Sequence, residues 1–460
     1  MSKLILYEIL GGVMGKYFGT DGFRGEAGVE LTAYRAYRIG RFLGWYYKRG
    51  GHRVRGVIGK DTRRSSYMLE YAVASGIASS GGDAHMLHVT TTPCVSYAVG
   101  EGDFDFGIMI SASHNPFYDN GIKIVNARGE KLDEKTTLEI ERYLDGVDGE
   151  IPLARGEEIG EIVDYVAGRN RYVGYLISLS RHSFKGLKIG LDMANGGAWS
   201  IAKSVFDALG ARTYVINAEP NGLNINLEAG STHTGGLVEL VRAQGLDVGF
   251  AFDGDADRCI AVNEKGEVVN GDAILYILAR ELKRQGELAG DRVVATVMSN
   301  LGLHEALGEM GVGCEVTAVG DRHVYERMVE GGYALGGEES GHIILSKYAT
   351  TGDGILTAIK IAEAMVEGKS TLSHLHAPLV LLPQVTRSVR VKSKGAVMEN
   401  KAVLQAAEDG RAELGIRGRI LLRASGTEPL VRIMVEAQSK EECLKHIDKI
   451  QGEIVKEGLA

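Results

Sequence analysis

A rhythm recurs three times along this chain: an apolar, β-branched run, a short polar turn, a stretch with apolar residues at helical spacing, and a glycine. Val54–Gly59 runs into polar Lys60–Ser66 and an apolar-periodic stretch ending near Gly81. Leu187–Leu191 leads into Asp192–Gly197 and a helix-like stretch through Leu209 and Gly210. Val293–Met298 leads into Ser299 and Asn300 and a helix-like stretch to Gly311. Strand, turn, helix and strand in that order is the grammar of βαβ units, which build parallel or mixed sheets with helices packed on them. The recurrence favours three related α/β domains. A chain of 460 residues is long enough for that and for one domain more.

The C-terminal region reads differently. Ser388–Val391, Ile420–Ala424 and Val431–Val435 have strand character, and Lys440–Glu457 is a charged helix with apolar positions at helical spacing. A smaller α+β domain is expected there. The acidic stretch Glu130–Gly160 reads as a helix and a linker, so the expected domains are 1–155, 156–258, 259–372 and 373–460. The second of these boundaries has no Pro- or Ser-rich linker to mark it.

Bulk chemistry narrows the function. A net charge of −8 does not suit a general nucleic-acid-binding surface, so any anionic ligand needs positive charge concentrated locally. No apolar stretch approaches the roughly 18 residues that span a bilayer, so no membrane partner is expected. The four cysteines, Cys94, Cys259, Cys314 and Cys443, are scattered and form no CxxC pair, which fits reduced thiols in a cytoplasmic protein. The opening MSKLILYEILGGV is apolar but contains Glu8 and lacks a small-residue cleavage site. Residues 1–13 are expected to be a non-essential extension ahead of Met14.

Four segments carry chemistry. In the first, the apolar Phe106–Ile110 delivers Ser111-Ala-Ser-His-Asn-Pro116, followed by Tyr118-Asp-Asn-Gly-Ile-Lys123. Strand ends that open into loops are where α/β folds place active sites. Small residues ending in Pro116 suit a tight turn that exposes one hydroxyl, with His114 as a nearby base and Lys123 as positive charge for a phosphoryl group. A serine in such a turn also serves as a helix N-cap. The G-x-S-x-G elbow of serine hydrolases is absent.

The second segment, Phe252-Asp-Gly-Asp-Ala-Asp-Arg258, again follows an apolar run, Val248–Phe252. Carboxylates at alternate positions project to one side of an extended chain, so Asp253, Asp255 and Asp257 can converge on one cation. Hard oxygen ligands suit Mg²⁺ or Ca²⁺. The spacing of Asp253, Asp255, Asp257, Ile260 and Glu264 also fits an EF-hand, but Arg258 stands where that loop needs glycine and the preceding segment reads as a strand. Mg²⁺ is the better reading, ahead of a solvated acidic loop.

The third, Gly336-Gly-Glu-Glu-Ser-Gly-His342, sets two acids between glycines, which suits gripping vicinal sugar hydroxyls or simply an exposed turn. The fourth, Arg423-Ala-Ser-Gly-Thr-Glu-Pro429 with Arg432, combines guanidinium groups, hydroxyls and a glycine into a phosphate cradle; a hairpin with exposed arginines is the plainer reading. Neither a Walker loop nor a dinucleotide-binding G-x-G-x-x-G is present. Phe18-Gly-Thr-Asp-Gly-Phe-Arg-Gly25 places Arg24 in a glycine-rich loop, while Arg63 and Arg322 read equally well as structural ion pairs.

Nucleophile, cation site, sugar clamp and phosphate cradle are complementary, and together they resemble the α-D-phosphohexomutases. SASHNP, DGDADR, GEESGH and RASGTEP match that family's four signature loops, in order and at its usual spacing, over nearly the whole chain from Met14. The resemblance implies four domains, three topologically similar mixed-sheet α/β domains and a smaller C-terminal α+β domain, around a central cleft. It implies that Ser113 is the phosphorylated serine and that Asp253, Asp255 and Asp257, with the phosphoserine oxygen, hold one Mg²⁺. Glu338 and Ser340 match the sugar contacts. Arg423, Ser425, Gly426, Thr427 and Arg432 match the site of the phosphate that is not reacting. Lys123, His114, Arg24 and Arg258 match groups around the reacting phosphoryl, with Lys123 the candidate general acid–base.

The implied activity is a mutase that works on hexose or hexosamine phosphates through a sugar bisphosphate, and a homodimer is compatible with it. Phe18–Gly25, Tyr118–Lys123, Gly230-Ser-Thr-His233, Val319-Gly-Asp-Arg322 and Ser425–Pro429 look most like the glucosamine-phosphate branch. Glu339 stands where that branch has glutamine, and His233 lacks the usual following proline, so glucose and mannose phosphates stay open. A Mg²⁺-dependent phosphatase and a catalytically silent phosphosugar binder are the readings from other classes.

Overall fold

The structure is a computed structural model that describes residues 15–19, 21–425 and 429–460. The expectation for residues 1–13 therefore lies outside the described residues. The chain forms two compact units: one from the chain up to Met298 together with Val312–Ala377, the other from Ser299–Gly311 and Pro378–Ala460.

The first unit contains three sheets built on one plan. In the first sheet, Phe106–Ile110, Arg55–Lys60, Asp83–Val89 and Ile162–Asp164 are parallel neighbours. Asp119–Asn126, Gly22–Glu26 and Phe18–Gly19 extend it antiparallel on the other side of Phe106–Ile110. The second sheet pairs Val248–Phe252, Lys188–Asp192 and Arg212–Ile216 in parallel and adds Cys259–Asn263 and Val268–Val269 antiparallel. The third pairs Leu335–Gly337, Arg292–Thr296 and Gly313–Thr317 in parallel and adds Ile343–Leu345 antiparallel. The strands leading into the chemical loops are wholly buried, which explains why they read as unbroken apolar runs and not as alternation.

This shared plan has one consequence for function. In each sheet the strand that borders the parallel block turns back through an antiparallel hairpin, and the turn of that hairpin is a chemical loop. Ile110 is opposite Ile122 across the first, Phe252 opposite Cys259 across the second, and Gly337 opposite Ile343 across the third. Two sheets run past the expected domain limits: Ile162–Asp164 joins the first as a parallel edge strand beside Asp83–Val89, and Cys259–Asn263 is the return strand of the second hairpin. Composition does not change at either strand, so nothing in the sequence marks those limits.

The second unit has a three-stranded antiparallel sheet in the order Gln384–Arg390, Leu430–Glu436, Arg419–Ala424. Helix Lys440–Lys456 buries Cys443, Ile447, Ile450 and Ile454 at helical spacing in a core shared with Val403, Ala407, Ile420, Val431, Ile433 and Val435. Helix Leu301–Glu309, capped by the Asn300 side chain onto the Gly302 amide, is part of this unit. The fold is thus three similar mixed-sheet α/β domains and a smaller α+β one. Among the described residues, no helix is long and apolar enough to cross a membrane, and all four cysteines are free thiols.

Candidate active site

Ser113 sits in the turn after Phe106–Ile110 with φ of 53°, in the left-handed region that few residues other than glycine adopt. Its amide donates to Ser111 Oγ at 2.9 Å and its hydroxyl donates to Asp253 Oδ2 at 2.6 Å. The expectation of an exposed hydroxyl is corrected: Ser113 is 1% exposed, because its Oγ is turned onto a carboxylate of the next hairpin. His114 Nδ1 lies 3.3 Å from the same oxygen. Burial, with Arg258 and Arg24 close by, pushes the His114 imidazole down to about 4, so it is neutral at pH 7.

The backbone of this turn is held from two sides. Arg63 is fully buried, pairs with Asp61 at 2.7 Å, and donates to the carbonyls of Ser113 at 2.9 Å, Asn115 at 2.8 Å, Asp119 at 3.1 Å and Pro116. Asn226, from the second domain, donates its amide to the carbonyls of Ser113 and Asn115, each at 2.9 Å. The structural reading of Arg63 was therefore correct in kind, but what it braces is the serine turn.

Ligand oxygens of Asp253, Asp255 and Asp257 lie within 4.8 Å of one another, and all three residues are buried. Strands flank the loop on both sides, which disposes of the EF-hand reading. Gly254 allows the loop to meet the serine turn, since a Cβ there would stand 2.5 Å from the Ser113 carbonyl oxygen. Burial, then Asp257 and Asp255, drive the Asp253 carboxyl well above the usual carboxylate range. Asp255 goes the other way: burial opposes its charge, but Lys123 and the Thr92 hydroxyl together lower it. The Thr92 hydroxyl also donates to Asp255.

Lys123, opposite Met109 in the first hairpin, places its ammonium 2.8 Å from Asp255, 3.0 Å from Asp257 and 3.2 Å from Asp21. Burial works against its charge, yet those three carboxylates raise it well above its ordinary value. Even so, Asp255 Oδ1 and Asp257 Oδ1 are buried without a hydrogen-bond partner among the described residues. Three carboxylates facing one point, with orphaned oxygens, fit a hard divalent cation.

The third hairpin is laced to the second. Cys259 donates its amide to the Gly341 carbonyl at 3.0 Å, and Arg258 and His342 form an antiparallel bridge. Gly341 has φ of 90°, and a Cβ there would lie 2.3 Å from the Cys259 carbonyl oxygen, so only glycine fits. Glu338 is buried and accepts from the Gly320 amide at 3.0 Å; Glu339 and Ser340 are half-buried. Burial opposes the charge of Arg258, but Asp253, Asp257 and Glu338 raise its guanidinium above the ordinary value. Arg24 pairs with Asp21 and is likewise raised against burial, by Asp21 and Asp255.

Arg423 and Arg432 are directly opposite in the sheet of the second unit, so both side chains leave the same face. Ser425 is buried, and Lys394 donates to its carbonyl at 2.6 Å. Gly426 and Thr427 lie outside the described residues. Arg322 pairs with Glu326 one turn along its helix at 2.9 Å.

Sequence reasoning missed several residues that the first unit brings to the site. Asp21 lies between Lys123 and Lys131, and Lys131 reaches Asp321 at 2.7 Å. Thr92 and Asn226 also carried no motif, and neither, in the second unit, did Lys394. Asp21 alone had a local signal, standing three residues before Arg24 in the same glycine-rich loop.

Comparison with known proteins matches four family models of the phosphoglucomutase/phosphomannomutase type. These are alpha/beta/alpha domain I over residues 15–149, domain II over 170–266, domain III over 270–380 and the C-terminal domain over 388–452. A phosphoglucosamine mutase of Lachnospira eligens is 60% identical over 449 residues, covering 97% of this chain and 100% of the other. One from Streptococcus sanguinis is 47% identical over 440 residues, covering 95% and 98%. Among solved structures, a phosphoglucomutase/phosphomannomutase family protein from Burkholderia thailandensis superposes with a TM-score of 0.79 at 23% identity, covering 97% and 99%. An Aspergillus fumigatus N-acetylphosphoglucosamine mutase gives 0.70 at 17%, covering 95% of each chain.

Proposed function

The chain belongs to the phosphoglucomutase/phosphomannomutase family, and from that premise we propose that it is a phosphosugar mutase acting through Ser113 on glucosamine 6-phosphate and glucosamine 1-phosphate. The observation that carries this reading is the Ser113 hydroxyl, held 2.6 Å from Asp253 in a loop of three converging carboxylates. The names of the relatives support the choice of sugar.

Asp253, Asp255 and Asp257 would hold one Mg²⁺, which when bound supplies positive charge against the transferring phosphoryl group. Phosphoserine 113 donates its phosphoryl to the free hydroxyl of the bound monophosphate, giving a sugar bisphosphate and a free serine. The bisphosphate turns end for end and returns its other phosphate to Ser113. Lys123, whose ammonium lies among Asp21, Asp255 and Asp257 beside the serine turn, would exchange the proton of the reacting sugar hydroxyl. Arg24 and Arg258 face the phosphoryl oxygens, and His114, 3.3 Å from Ser113 Oγ, stands within reach of them as a hydrogen-bond partner. Glu338 and Ser340 hold sugar hydroxyls.

In the second unit, Arg423, Ser425, Gly426, Thr427 and Arg432 take the phosphate that is not reacting. Arg423 and Arg432, directly opposite across the ladder, set two guanidinium groups on one face of the sheet, a placement that suits a phosphate. The four free cysteines suit a reducing compartment, and we place the enzyme in the cytoplasm.

Glucosamine, glucose and mannose 6-phosphates, each incubated with the protein, Mg²⁺ and a trace of the matching 1,6-bisphosphate, test this directly. Glucosamine 1-phosphate is expected to form fastest. Faster turnover of glucose or mannose phosphate would move the enzyme to the other branch, as Glu339 allows. Release of inorganic phosphate without isomerisation would contradict the mutase reading.

A further inference from the structure

Ser113 has a conformation that its own neighbours do not favour, and its hydroxyl tie to the metal loop lasts for only one covalent state. In the left-handed region a serine costs roughly 1–2 kcal/mol, so something must hold it there. The bond to Asp253 uses the hydroxyl hydrogen. A phosphorylated Oγ has no hydrogen to donate, so that tie disappears when the enzyme is charged with phosphate.

What persists is at the carbonyls. We infer that Asn226 is a positioning residue for phosphoryl transfer: its amide, with Arg63, fixes the carbonyls of Ser113 and Asn115 and keeps the serine turn in register with the metal loop in both covalent states. The geometry supports this from several sides. Asn226 is 8% exposed, and its amide nitrogen bonds both carbonyls at 2.9 Å. Its own φ is 59°, a conformation that asparagine tolerates better than most residues, and its backbone amide is anchored to the Ala194 carbonyl at 2.9 Å. It comes from the domain that carries Asp253, while the turn it holds belongs to the preceding domain. Arg63 provides the matching grip from the serine's own domain. Neither side chain touches the reacting atoms.

The inference rests on Ser113 being the phosphoryl carrier. It is tested with Asn226→Gly, which keeps the positive φ and removes the amide, and Asn226→Asp, which keeps the shape but presents acceptors to two carbonyls. A displacement of about 1 Å at a reacting group lowers turnover on the order of a hundredfold. Both variants are therefore expected to lose about 30- to 100-fold in kcat, with KM for the sugar phosphate changed less than about threefold. Asp should be at least as damaging as Gly, although it suits the backbone equally, and thermal midpoints should fall by no more than a few degrees.

A kcat within about threefold of the parent in both variants would overturn the inference. So would a loss that tracks unfolding, or one that appears as a matching rise in KM. A Ser113→Gly enzyme with full turnover would remove the carrier itself, and this inference with it; inactivity of Ser113→Gly beside active Asn226 variants would remove the inference alone.

Discussion

Ser113→Ala is expected to lower mutase turnover by at least about a thousandfold, because in the proposed cycle every turnover begins and ends with a phosphoryl group on that oxygen. The nearest other hydroxyl is not placed to substitute: Ser111 is buried, with its hydroxyl accepting the Ser113 amide. The fold should survive, since the Arg63 and Asn226 ties go to backbone carbonyls that alanine keeps. Alanine bears the same left-handed strain as serine, so Ser113→Gly is the better control for stability. Both variants should be inactive while Gly is no less stable than Ala. Steady-state isomerisation with a bisphosphate primer, alongside thermal melts, checks this.

The second large effect pairs opposite signs. Burial and two neighbouring carboxylates hold the Asp253 carboxyl well above its ordinary range, which means its charge is unfavourable in the metal-free chain. Asp253→Asn removes that charge and can still accept the Ser113 hydroxyl. Its melting temperature in chelator is therefore expected to equal or exceed the parent's. Turnover should nonetheless fall at least about a hundredfold, because the proposed Mg²⁺ would lose one of its three carboxylates. Mg²⁺ should raise the melting temperature of the parent and barely move that of the variant, by mass action on the folded state. A variant that melts lower in chelator, or that keeps full Mg²⁺-dependent activity, would show that Asp253 is not a ligand in a self-repelling cluster.

Strand ends were the legible part of this molecule. Phe106–Ile110 and Val248–Phe252 are buried on both faces, so they stand out as short apolar runs, and the polar residues after them mark loops. What the runs do not reveal is the antiparallel return, which makes the three loops equivalent turns. The Asp cluster was legible because its spacing is local. Asn226 was not, because its targets are more than a hundred positions away and asparagine in a glycine-rich turn has an ordinary local explanation. Thr92, Lys131 and Lys394 were hidden for the same reason: single polar residues gain meaning only from what the fold sets beside them. Lys123 was found, but its charge state came from Asp21, Asp255 and Asp257 converging on it.

The central claim is that the phosphate reaching the product comes from Ser113 and not from the substrate's own phosphate. The protein charged with radiolabelled phosphate, freed of primer and mixed with one equivalent of unlabelled glucosamine 6-phosphate and Mg²⁺, tests it in a single turnover. Label should leave Ser113 and appear in the bisphosphate and in glucosamine 1-phosphate, while Ser113 becomes charged again with unlabelled phosphate. Label that stays on the protein while glucosamine 1-phosphate forms, or that appears only as inorganic phosphate, would contradict it.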